Sequence, residues 1–260
     1  MANTNDVTLA TLNTTDINAE TVKIGGKDIS QYISEQEYTA VEVHPTDTEI
    51  SAGTIDEVTG LEYKVAVPAQ MTCKFTVRSD GPRAYDGFRI DWGDGTSSTL
   101  EDAEKRSGDK ATFAHTYSAS GRYIVKFYGQ IYGFINEKIS DYNLISRIWD
   151  GDLPIAHGCY CWKQICDGAI RLQKVYIPKS FKWPSENLGL YQSFRNAQNL
   201  ISFENYAPTP FCHSMQDMFK GCSNMITCKM EYEGYGIWKS VDGRYSDMFN
   251  GCSSLTTPVN

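Results

Sequence analysis

The chain has no run of about 18 apolar residues, the length a helix needs to cross a bilayer, and no cluster of lysine or arginine. The first absence excludes a membrane-spanning helix. The second, with a formal net charge of −8, argues against nucleic acid or an anionic membrane as the main partner, because both need a positive face that releases counterions. The opening MANTNDVTLATLNTTDINAE lacks a basic start followed by an apolar core, so no secretory signal is expected. A glycine-rich phosphate loop, an HExxH helix, a GxSxG elbow and paired carboxylates in a recognisable pattern are also absent. Enzymes are therefore the least supported class, with no catalytic residue, metal or cofactor expected.

What is there is apolar enough to fold: 41% hydrophobic and 12% aromatic residues over 260 positions suit one large domain or two ordinary ones. Residues 1–36 stand apart, rich in Thr, Asn and Asp and poor in large apolar side chains. Around Gly25-Gly26, however, Val22, Ile24, Ile29 and Tyr32 suit packing onto another surface, so this segment reads as an arm that docks. A frayed terminus is the plain alternative.

Over residues 37–140 the apolar pattern has period two, the mark of half-buried strands. Tyr63, Val65 and Val67 alternate, as do Cys73, Phe75 and Val77, then Phe88, Ile90 and Trp92, then Phe113, His115 and Tyr117, then Tyr123, Val125 and Phe127. Short strands at this spacing imply an antiparallel sandwich of immunoglobulin-like type. IDWGDG (residues 90–95) then reads as a corner. Trp92 ends the inward face of a strand, Gly93 and Gly95 permit positive φ, and Asp94 accepts backbone N–H groups. His115 would line the wall beside it. IDWGDGTSS followed by FAHTYSASGRYIVKFYG resembles the polycystic-kidney-disease (PKD) repeat, a seven-stranded sandwich, over roughly residues 60–129. The resemblance implies structural roles for Asp91, Trp92, Gly93, Asp94, Gly95, His115, Tyr117, Gly121 and Tyr123. An Asp94/His115 acid–base pair, as in a hydrolase, is the remote alternative, with no nucleophile or orienting group to accompany it.

Residues 141–260 hold an internal repeat. SMQDMFKGCSNM (214–225) and RYSDMFNGCSSL (244–255) are plain copies, and LYQSFRNAQNL (190–200) and ICDGAIRL (165–172) are weaker ones. The aligned core positions are Cys166, Ala169 and Leu172; Phe194, Ala197 and Leu200; Phe219, Cys222 and Met225; and Phe249, Cys252 and Leu255. The last members are spaced by 28, 25 and 30 residues, a solenoid period. MF-x-G-C-x-x-L resembles the BspA-like leucine-rich repeats, which implies a turn followed by a strand in each unit; the irregular lengths argue against a regular horseshoe. The repeat accounts for Cys166, Cys222 and Cys252 as compact hydrophobes. HGCYC adds His157, Cys159 and Cys161, which with Cys166 number four potential zinc ligands, but the C-x-C spacing and the repeat's claim on Cys166 favour core packing.

The expected fold is therefore mainly β: an N-terminal arm (1–36), a PKD-like immunoglobulin-like β-sandwich (37–140) and a short, irregular leucine-rich-repeat solenoid (141–260). Both modules resemble extracellular adhesive parts, while no export signal is expected. A bacteriophage virion protein resolves the conflict, since it leaves the cell by lysis. The expectation is a non-enzymatic head fibre or decoration at the virion surface, docked on capsid proteins through the arm. A host-surface or glycan ligand is open to it, and Tyr232, Tyr235, Trp238 and Tyr245 are a candidate contact face or loop filling. A bacterial surface adhesin is the alternative. With no capping unit after Leu255, a homo-oligomer, dimer or trimer, is also expected.

Overall fold

The computed structural model describes residues 23–24, 27–28, 38–78, 87–129, 133–135, 144–149, 162–179, 181, 183, 188–209, 212–232 and 245–256. The chain divides into two compact units, Met1–Glu37 and Tyr38–Asn260. The first contains one antiparallel pair, β1 (Lys23–Ile24) and β2 (Lys27–Asp28).

The second unit is built from β3 (Tyr38–Val43), β4 (Thr72–Arg78), β5 (Arg89–Asp91), β6 (Ser97–Thr99), β7 (Lys105–Ser107), β8 (Lys110–Thr116), β9 (Tyr123–Tyr128), β10 (Gly133–Ile135), β11 (Ile145–Trp149), β12 (Trp162–Lys163), β13 (Lys174–Ile177), β14 (Leu188–Gly189), β15 (Ser202–Thr209), β16 (Cys212–Ser214) and β17 (Thr227–Tyr232). The protein is mainly β, with no α-helix among the described residues. Two mixed sheets dominate. One has eight strands in the order β17-β15-β13-β11-β3-β9-β5-β6, and the other has five in the order β12-β10-β4-β8-β7.

Alternation explains how they face each other. β4 turns Cys73, Phe75 and Val77 inward and β9 turns Val125 and Phe127 inward, all buried. Phe75 meets Phe127 edge-to-face at 4.9 Å between ring centroids, and Phe127 meets Phe134 in the same way at 4.9 Å. The core therefore lies between the sheets.

The eight-stranded sheet does not stop where the repeats begin. Its central strand β3 pairs antiparallel with β9 on one side and with β11 on the other, and β11, β13, β15 and β17 then follow in parallel. One buried row runs across the join: Val125, Val41, Ile148, Val175, Phe203 and Cys228. Antiparallel and repeat-bearing parts share one sheet and one core.

Before β13, β15 and β17, and again over residues 247–251, the chain makes the same turn, and its backbone shows why. Gln164, Gln192, Asp217 and Asp247 all have φ between 53° and 57°, and four residues later Gly168, Asn196, Gly221 and Gly251 are again at positive φ. Two left-handed residues per turn cost conformational energy unless neighbours hold them. The neighbours do so by a ladder. Cys166, Phe194 and Phe219 donate their N–H groups to Ser193, Met218 and Met248 carbonyls at 2.8, 2.9 and 2.9 Å. Gly168, Asn196 and Gly221 donate to Arg195, Lys220 and Asn250 at 2.7, 2.7 and 2.8 Å. Within the stack, Phe194, Phe219 and Phe249 lie face to face at 5.6 and 5.5 Å.

The alternation at Tyr63, Val65 and Val67 predicts a strand, but this stretch makes only isolated bridges, Ile55 with Glu62 and Ile50 with Val67. The reason is a side chain. Asn199 Oδ1 accepts the N–H groups of Lys64 and Val65, both at 2.9 Å, and its Nδ2 donates to the Val65 carbonyl at 3.0 Å. Those groups are satisfied without a neighbouring strand.

Candidate functional site

The WGDG residues close into one corner. Asp91 Oδ1 accepts the Gly93 N–H at 2.9 Å, and Asp94 Oδ1 accepts the Thr96 N–H and hydroxyl at 3.0 and 2.6 Å. Gly93 and Gly95 sit at φ +81° and +89°. At Gly93 a Cβ would also stand 2.6 Å from the Ile124 carbonyl oxygen, so the corner lies directly against β9.

His115 reaches the corner from β8. Its Nε2 lies 2.7 Å from Asp94 Oδ2, its ring stacks on Trp92 at 4.8 Å, and it meets Tyr117 edge-on at 4.6 Å. Tyr117 donates to the Trp92 carbonyl at 3.0 Å and Trp92 Nε1 donates to Ser98 Oγ at 2.9 Å. Partial burial of Asp94 opposes its charge, yet hydrogen bonds from Thr96 and then His115 hold its carboxyl below the usual range. Asp91, Trp92, Gly93, Asp94, Gly95, His115 and Tyr117 thus come together in one corner, where His115 touches Asp94, Trp92 and Tyr117.

A second constellation escapes sequence reasoning. His44, Thr46, Asp56, Tyr63 and Arg122 line a cleft of about 340 Å³. Arg122 ion-pairs with Asp56 and with Glu42, the latter at 2.6 Å, and Ser146 Oγ donates to the same Glu42 oxygen at 2.6 Å. Tyr63 donates to Asp56 at 3.2 Å, and His44 Nδ1 lies 3.4 Å from the Tyr63 hydroxyl. Burial, helped by the Arg122 charge, depresses the His44 pKa to about 4. Burial first, then Asp56, pushes the Tyr63 hydroxyl well up. The result is a fixed-charge cluster of two carboxylates, one guanidinium and two neutral rings. No motif announces it, since Glu42 and Arg122 are 80 residues apart.

In the repeat stack, Cys166, Ala169, Leu172, Phe194, Ala197, Leu200, Phe219, Cys222 and Met225 are buried, while Phe249, Cys252 and Leu255 are half-buried and pack against the same core. Cys222 and Cys252 donate S–H to the carbonyls of Phe194 and Phe219 at 3.0 and 3.1 Å. Burial raises their thiols, that of Cys252 to about 11. The polar side of the turns carries its own ladder: Gln164 donates to Gln192 at 2.9 Å, Gln192 to Asp217 at 3.1 Å, and Lys220 bridges Asp217 and Asp247 at 3.2 and 3.3 Å.

Val22, Ile29, Tyr32, His157, Cys159, Cys161, Tyr235 and Trp238 lie outside the described residues. Ile24 lies in β1 and Tyr232 ends β17. Tyr245 is half-buried against the core. In comparisons with known proteins, no family model, curated protein or solved structure matches the chain.

Proposed function

We propose that the chain is a non-catalytic display protein on the outside of a bacteriophage particle, a head fibre or decoration. In this reading a PKD-type immunoglobulin-like sandwich carries a short leucine-rich-repeat solenoid of BspA type. The observation that carries the reading is the continuous eight-stranded sheet. It joins the two parts through β3 and β11 by paired backbone, so the repeats are held at a fixed angle to the sandwich, as presentation of a surface requires. Met1–Glu37, a separate compact unit, supplies the arm that docks on capsid proteins.

The thiols support the same reading. Cys222 and Cys252 spend their S–H groups on carbonyls of the preceding turn, which suits a chain that folds in a reducing cytoplasm and leaves by lysis. An exported adhesin would fold under oxidising conditions, where such cysteines are a liability. The half-buried Phe249, Cys252 and Leu255 offer a contact to a second copy, giving a dimer or trimer on the particle.

The test is mass spectrometry and antibody-gold imaging of purified particles from an infection with wild-type phage, beside particles carrying the chain without residues 1–36. The full chain is expected on the head and the truncated one in the unassembled fraction. Particles that contain no copy of the full chain would sink the proposal.

A further inference from the structure

The cleft beside His44 has charges at its base that are spent on one another and walls whose polar groups are not. Arg122 is paired with Asp56 and with Glu42, and Asp56 also accepts the N–H groups of Val58 and Thr59, both at 2.9 Å. Behind Thr46 lies a second guanidinium, that of Arg171, which is 1% exposed. It donates to Thr46 Oγ1 at 3.2 Å and to Gln70 at 3.0 Å, and it pairs with no carboxylate among the described residues. Its charge reaches His44, where it opposes protonation. Two guanidinium groups thus stand against two carboxylates, and the base of the cleft holds no net charge.

His44 adds an acceptor there. Tyr63 gives its only proton to Asp56 at 3.2 Å, so its oxygen meets His44 Nδ1 as an acceptor, at 3.4 Å. Nδ1 therefore carries the ring proton, and Nε2 carries a lone pair that has no partner among the described residues. Burial keeps the ring neutral at pH 7, with its pKa lowered to about 4. On the walls, Thr48, Thr54 and Ser120 bring hydroxyls that likewise have no side-chain partner among the described residues. Ile50 and Ile55 give the cleft an apolar side, with Ile55 65% exposed. Asp47 and Glu57 line it as well, both exposed to water.

We propose that this cleft binds a neutral sugar residue, a pyranose without a charged substituent. A pyranose gives O–H donors to His44 Nε2 and to the exposed carboxylates, accepts hydrogen bonds from the threonine and serine hydroxyls, and lays its C–H face on Ile50 and Ile55. The volume of about 340 Å³ lies at the small end of the range for small-molecule sites, roughly 300–1,000 Å³. That suits a single sugar or a short glycan end. Asp47 and Glu57 oppose an anion. A cation gains little, because these two carboxylates sit in water, where an ion pair contributes little to binding, and the buried carboxylates are already neutralised by Arg122. The inference rests on the display reading only for its purpose, a glycan ligand for an exposed protein; the binding itself is a property of the isolated chain.

The test uses the purified full chain in saturation-transfer nuclear magnetic resonance and calorimetry. The probes are glucose, galactose, mannose and N-acetylglucosamine, beside glucosamine and glucuronate, which are cationic and anionic at pH 7. At least one of the four neutral sugars is expected to bind, with an affinity that added salt does not change. Binding is expected to be at least ten-fold weaker in Thr48→Val/Thr54→Val and in Ile55→Asp, both placed on exposed positions so that thermal unfolding stays as in wild type; Ser120→Ala, on the opposite wall, is a second check with the same expected direction. The proposal is overturned if none of the four neutral sugars binds, if glucosamine or glucuronate binds more tightly than all of them, or if the folded variants bind as wild type does. A full chain found on the head that binds no sugar sinks the cleft reading alone. A chain that binds sugar but is missing from particles sinks the display reading alone.

Discussion

Asn199 and Val65 exchange two hydrogen bonds, Val65 N–H to Oδ1 at 2.9 Å and Nδ2 to the Val65 carbonyl at 3.0 Å, although 134 residues separate them in sequence. Oδ1 also takes the Lys64 N–H at 2.9 Å and Nδ2 also reaches the Ile170 carbonyl at 2.8 Å. A single carboxamide thus ties the loop before β4 to two turns of the repeat stack. Neighbouring side chains repeat the idea. Gln173 accepts from Thr59 at 2.9 Å, and buried Arg171 donates to Gln70 at 3.0 Å and to Thr46 at 3.2 Å.

Asn199→Ala removes both halves of this exchange and leaves the part-buried backbone groups of Lys64, Val65 and Ile170 without this partner. The expected cost is about 3 kcal/mol, the scale of one or two unsatisfied buried groups. Urea unfolding followed by circular dichroism measures it. A loss below about 0.5 kcal/mol would show that water replaces the carboxamide.

Much of this arrangement is legible in the sequence and some of it is not. The core triplets such as Phe219, Cys222 and Met225 can be read because apolar side chains recur at fixed offsets, and the corner because Gly93 and Gly95 serve a backbone need that few residues meet. The fusion of the two parts into one sheet cannot be read so. It depends on β3 lying between β9 and β11, and Ala40, Val41, Glu42 and Val43 are all buried, with no alternation to mark which side faces the core. Asn199 is equally silent, since a polar residue in a turn looks solvated until the loop that covers it is seen. Tyr38, Lys126, Tyr128, Tyr176, Tyr206 and Lys229, which share the other face of this sheet, come from five strands, and only register brings them together.

The two glycines of the corner are expected to respond differently to alanine. At Gly95, φ is +89° with nothing within 4 Å of a new Cβ, so the cost is conformational alone, roughly 1–2 kcal/mol. At Gly93 the same strain is joined by overlap with the Ile124 backbone, whose oxygen lies 2.6 Å from the added carbon. A loss of about 3 kcal/mol or more is expected there. Equal losses in thermal unfolding would contradict this account of the corner.

His44 gives the stability a pH dependence of defined sign. In the unfolded chain its pKa is about 6.5, whereas burial and Arg122 hold it near 4 in the fold. Between those values the unfolded chain binds a proton that the folded one does not, so its contribution is full above pH 6.5 and declines as pH falls toward 4. The decline is of the order of 2–3 kcal/mol. His44→Gln should flatten this part of the stability profile while leaving the steeper carboxylate region below it. A variant with an unchanged slope would assign the dependence to another group.

The phenylalanine stack offers a graded experiment. Phe219 is fully buried between Phe194 and Phe249, with rings nearly parallel on both sides, at 10° and 13°. It also meets Phe203 of β15 edge-on at 5.0 Å. Removing it leaves a void that the two neighbouring turns cannot close, because each is pinned to the Phe219 turn by the backbone ladder, Asn196 N–H to the Lys220 carbonyl on one side and Gly221 N–H to the Asn250 carbonyl on the other. Phe219→Ala is therefore expected to cost about 3–5 kcal/mol. Phe249 touches only one ring of the stack and is half-buried, so Phe249→Ala should cost roughly 1–2 kcal/mol. In a stack held by contacts between neighbouring units, the double variant should lose less than the sum of the two, since the Phe219–Phe249 contact is removed only once. Chemical denaturation of the three variants decides the matter. Strict additivity would mean that the rings contribute independently, and that their parallel alignment follows from the backbone turns alone.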